Sequence, residues 1–74
     1  MKLILQTKLD EIGEQWEDVY SNAYGVFTEA SYTPFAIAYQ AAEAVWSDEN
    51  SSYSDLRNAY RNLLDAMKNL VLAD

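Results

Sequence analysis

A chain of 74 residues lies near the lower limit for building one hydrophobic core, so it holds a single domain; with 50% apolar residues, two glycines and one proline, its composition suits a folded protein. Lacking cysteine and histidine, it has no disulfide framework, no thiolate nucleophile and none of the usual zinc ligands, so neither a cofactor nor a metal is expected. Twelve carboxylates against five Lys and Arg give a net charge of −7, which repels phosphate backbones and anionic headgroups and argues against nucleic acid and membrane partners.

The stretch Met1 to Leu5 is too short an apolar run for a signal peptide, and no run approaches membrane-spanning length. From there apolar residues fall at Leu5, Leu9, Ile12, Trp16, Val19, Ala23, Val26 and Ala30. Their steps of four and three predict one long amphipathic helix over about residues 3–29. Glu14, Glu17 and Asp18 lie close together on its polar side and read as a solvated face rather than as acid–base chemistry. Gly25 is a candidate kink, or an early end near Tyr24.

Ala30-Ser31-Tyr32-Thr33-Pro34 reads as a break, because proline disfavours helical geometry just before it yet suits the first position of a new helix. Thr33 is then the expected N-cap of a second helix over about 34–47. That helix should present Ile37, Ala38, Ala41, Ala44 and Val45 to the core, with Phe35 and Tyr39 nearer its edges. The polar run Ser47 to Ser52 is a connection. Its Asp48, Glu49 and Asn50 lack the glycine and terminal glutamate of a calcium loop and read as a plain turn. Ser52 and Asp55 resemble a capping box opening a third helix over about 53–72, striped by Leu56, Tyr60, Leu63, Met67 and Leu70. These elements predict an all-α, three-helix up-down-up bundle with a long first helix. Its overhanging start, Leu3, Ile4, Leu5 and Leu9, would offer a homodimer surface.

Two tryptophans, six tyrosines and two phenylalanines are generous for so small a bundle. Periodicity assigns Trp16 and Tyr60 to the core, whereas Tyr39, Trp46 and Tyr53 are less easily absorbed. Trp46 ends the second helix and Tyr53 begins the third, so both flank one loop and could form a platform for a sugar ring or a protein hot spot. No Ser-His-Asp set, phosphate cradle or carboxylate cleft accompanies them, so no enzyme activity is expected.

The run Tyr32-Thr33-Pro34, the helix end Ala44-Val45-Trp46, the loop Asp48 to Ser52, then Tyr53-Ser54-Asp55-Leu56 and Leu63-Leu64-Asp65-Ala66 resemble the FIVAR module (found in various architectures). The likeness runs mainly over residues 32–70; where members often have Glu-Ser-Trp after Tyr-Thr-Pro, this chain has Phe35-Ala36-Ile37. The resemblance implies a three-helix accessory module of bacterial cell-surface or secreted proteins, beside glycoside hydrolase, carbohydrate-binding or anchoring domains. Extracellular or cell-surface localisation follows, with the signal peptide expected outside these residues. The leading expectation is therefore a non-catalytic interaction or spacer module. Its rivals are a carbohydrate-binding module using Tyr39, Trp46 and Tyr53, and a free-standing or designed bundle acting as a protein-binding adaptor.

Overall fold

A computed structural model describes residues 1–73 and is all-α. Its elements are α1 (Lys2–Glu14), a π-helical turn π1 (Trp16–Tyr20), α2 (Glu29–Ser47) and α3 (Tyr53–Lys68). The α-helices share one core, with Leu5 and Ile12 from α1, Phe35 and Ala42 from α2, and Leu56, Ala59 and Leu63 from α3. No polar or charged side chain is buried among the described residues, so apolar burial and dispersion hold the fold together. No helix is long and apolar enough to cross a membrane among those residues.

Helix three was the most legible element. Leu56, Ala59 and Leu63 recur at helical spacing and are all buried, as the 3.6-residue period requires. Its start carries the expected capping box: Asp55 N–H donates to Ser52 Oγ at 3.1 Å, and Ser52 N–H donates to Asp55 Oδ2 at 3.1 Å. The aspartate is long enough. The helix closes at Lys68 rather than at about residue 72, and the chain beyond it leaves helical geometry. There Leu72 forms an isolated antiparallel bridge with Phe27. Thr28 N–H donates to Val71 O at 2.9 Å and Ala73 N–H to Val26 O at 2.8 Å, so the C-terminal segment ties down the loop between π1 and α2.

The long first helix does not form. α1 ends at Glu14, and the next turn widens: Tyr20 N–H donates to Gln15 O at 3.2 Å and Ser21 N–H to Trp16 O at 2.6 Å, five residues back. The chain then reverses through Asn22 and Gly25, both at positive φ (59° and 66°), where a non-glycine residue other than Asn or Asp is strained. Asn22 braces this turn, its Oδ1 accepting from Phe27 N–H at 2.8 Å and its Nδ2 donating to Phe27 O at 3.2 Å. The four-three stripe ran through this break by coincidence of phase, and Ala23 and Ala30 are exposed.

Helix two consequently begins five residues before the expected Pro34, at Glu29, and its N-cap is Thr28 rather than Thr33. Ser31 N–H donates to Thr28 Oγ1 at 3.4 Å, while the Thr33 hydroxyl bonds back to Glu29 O at 3.1 Å inside the helix. Pro34 is tolerated within the helix because it withholds one bond, to the carbonyl of the exposed Ala30. The buried face is also rotated from expectation: Phe35 and Ala42 are in the core, whereas Ile37 (64% exposed), Ala41 and Ala44 face outward. Phe35 takes the centre because four rings converge there, with Tyr20, Tyr32 and Tyr39 at centroid distances of 5.4, 5.8 and 6.1 Å from it. At the start of α1, Leu3 and Ile4 are exposed, but Leu5 is fully buried and Leu9 is partly covered, so the overhang is confined to Leu3 and Ile4.

Candidate functional site

An open groove of about 590 Å³ lies between α1 and α2. Helical spacing builds both walls: Gln6, Leu9, Asp10, Gly13 and Glu14 along α1 face Tyr39, Glu43, Trp46 and Ser47 along α2. Tyr39 and Trp46 stand seven residues apart, about 10 Å along the axis, with Glu43 between them.

Each ring is fixed by a different part of the chain. π1 turns Trp16 onto Tyr39, the rings stacked at 5.0 Å and 25°, which packs Tyr39 from one side. Trp46 is held at the opposite end, its indole N–H donating to Lys2 O at 3.3 Å, with the Lys2 ammonium 5.2 Å from its ring centroid. Gly13 also lines the groove beside the phenol, where a Cβ would make only ordinary van der Waals contact with the Tyr39 oxygen, at 4.0 Å.

The electrostatics are one-sided. Asp10, Glu14 and Glu43 line the groove with no Lys or Arg among the lining residues. Lys8 is committed elsewhere, to Glu11 at 3.0 Å, and this hydrogen bond raises its pKa above the usual 10.5. Burial pushes the Tyr39 pKa above its ordinary 10.0, and the negative charges of Glu43 and Asp10 push it further the same way. Tyr39 is therefore a neutral phenol at physiological pH, standing in a negative field.

The structure brings Tyr39 and Trp46 into this groove and leaves Tyr53 out of it. Tyr53 is 63% exposed and has no aromatic partner among the described residues. The loop that Trp46 and Tyr53 flank is a turn closed on itself: Asn50 N–H donates to Asp48 Oδ1 at 2.9 Å, and the Ser51 hydroxyl to Val45 O at 2.7 Å. Among the described residues no three His, Cys, Asp or Glu side chains are grouped so as to hold a metal ion. The sequence reading placed Glu14 on a solvated face and gave Asp10 and Gly13 no part in a site, because only the pairing of α1 with α2 sets them opposite Tyr39 and Trp46. The legible signal was the surplus of aromatics.

Compared with known proteins, the chain matches no family model, and no curated protein or solved structure is significantly similar to it.

Proposed function

We propose that this chain is a non-catalytic interaction module, an up-down-up three-helix bundle that engages a partner through the groove between α1 and α2. The observation that carries this reading is the groove itself, an open concavity with an aromatic side chain at each end and acidic side chains along both walls. The FIVAR-like stretch from Tyr32 supports the further proposal that the module serves a larger bacterial surface protein or carbohydrate-active enzyme, outside the cell. In this chain Tyr32-Thr33-Pro34 lies within α2.

Carbohydrate binding is the second reading, favoured by the presence of both Tyr39 and Trp46 in the groove. It is the weaker one, since a sugar stacks on an uncovered ring face, and here Trp16 covers Tyr39 while Lys2 lies over Trp46.

Amide NMR of the whole chain against two panels, soluble glycans and short peptides of varied charge, tests the proposal. Saturable shifts of the groove residues with peptides, and none with glycans, are expected. Shifts with glycans alone would replace it with the carbohydrate reading, and silence toward both panels would leave a spacer.

A further inference from the structure

We infer that the partner segment is basic, and that it lays an arginine or lysine side chain along the groove between Tyr39 and Trp46. This rests on the groove being the docking site, and it adds the chemistry of the occupant.

Charge is the first argument. Asp10 and Glu14 approach from α1 and Glu43 from α2, and the groove's own lining offers no cation to balance them. The one salt bridge among the described residues joins Lys8 to Glu11, so all three groove carboxylates are left without an ionic partner. A guanidinium or ammonium entering here gains charge-assisted hydrogen bonds that a neutral ligand gains less of and an anion forfeits.

The rings make the second argument, independent of the carboxylates. The chain already sets a cation against one of them, the Lys2 ammonium over Trp46 at 5.2 Å, which is cation–π distance. Lys2 is an exposed residue on the first turn of α1, free to be displaced by a competing cation from a partner. Tyr39 contributes its phenol edge rather than a ring face, and its stacks on Trp16 and Phe35 hold it rigid, so little side-chain freedom is lost on binding. Its phenol stays protonated, a donor next to the Glu43 and Asp10 charges that oppose its ionisation.

Size and long-range charge agree. The two aromatic positions lie roughly 10 Å apart along the α2 axis, a span on the scale of one extended arginine or lysine side chain, and the net charge of −7 steers basic segments toward the molecule.

The test is a titration of the whole chain with a short arginine–glycine–serine peptide, followed by amide NMR and tryptophan fluorescence at low and high salt. Peptides of the same length with glutamate or neutral glutamine in place of arginine are the controls. Saturable binding is expected, with shifts confined to the groove walls of α1 and α2 and an affinity that falls with salt. The double variant Asp10→Asn/Glu43→Gln, at two exposed positions, should weaken binding about ten-fold or more. The variant Glu29→Gln/Asp65→Asn, with the same change in net charge away from the groove, should stay within about two-fold of the parent. Equal losses in the two variants would overturn the inference, since attraction would then come from net charge alone. Absence of saturation with the basic peptide would overturn it as well. Saturation of the groove by a neutral peptide with equal affinity would overturn the charge assignment while leaving the groove as a docking site.

Discussion

Leu63 sits on the inner face of α3 with no exposed surface, next to the buried Leu56 and Ala59. Replacing it with alanine removes buried methyl groups and leaves a cavity, so Leu63→Ala should cost about 2–5 kcal/mol. Ile37→Ala, at a residue 64% exposed, should stay within about 0.5 kcal/mol of the parent. Urea midpoints measure both; equal losses would mean that α2 presents a different face to the core. The contrast shows what apolar spacing can resolve. Stripe residues of α3 were readable one by one because its polar side, with Arg57, Arg61 and Asp65, is unmistakable. On α2 nearly every position is apolar or small, so the pattern permitted several faces. The aromatic cluster around Phe35 then selected one.

Helix starts are decided by competition between local signals. Ser52 with Asp55 met no rival and formed the capping box that the spacing suggested. Upstream, Thr33 before Pro34 was the stronger local signal, yet Thr28 caps the helix because Thr28 N–H is already engaged with Val71 O and the loop behind it is braced by Asn22. Thr28→Ala should therefore cost about 1 kcal/mol. Thr33→Ala should be neutral or slightly stabilising, since alanine is the better helix former by about 0.5 kcal/mol. Thermal or denaturant unfolding of the two variants separates the cap positions, and a larger loss at Thr33 would restore the later start. π1 belongs to the same scale. By widening one turn it aims Trp16 at Tyr39 and Tyr20 at Phe35, which a regular continuation of α1 would not do.

At the scale of the whole molecule, the chain is elongated, 41 × 20 × 15 Å, with a radius of gyration of 12.4 Å against about 11 Å for a compact chain of this length. Its accessible surface of 4999 Å² exceeds the roughly 4,600 Å² usual for its mass. Part of the excess is apolar, at Leu3, Ile4, Ile37 and Leu72. Such uncovered surface is compatible with the interaction module proposed above. Alkaline pH should loosen this fold in a defined window. Burial raises the pKa of Tyr32, whose hydroxyl donates to Tyr20 O at 2.7 Å, and that of Tyr39 above 10.0. Between the unfolded and folded values the folded chain holds more protons than the unfolded one, so stability falls as pH rises. Full stability is expected below about pH 10 and its loss as pH climbs through the raised folded values. Denaturant midpoints across that range check this; Tyr39→Phe should flatten the decline, and a level midpoint in the parent would contradict the coupling.

Local periodicity was enough to specify the helical class, the third helix and its cap, and the polar turn at Asp48 to Ser52, because these depend on residues within one or two turns of each other. It also flagged Tyr39, Trp46 and Tyr53 as aromatics less easily absorbed by the core, of which Tyr39 and Trp46 line the groove and Tyr53 does not. The end of α1 at Glu14, the early start of α2, the face that α2 buries and the acidic groove could not come from spacing. Each depends on which distant segment lies alongside: Leu72 against Phe27, Trp16 against Tyr39, Lys2 against Trp46. An ordinary residue gains or loses at most about 1 kcal/mol from its own helix propensity, so packing between segments far apart in the chain can overrule it.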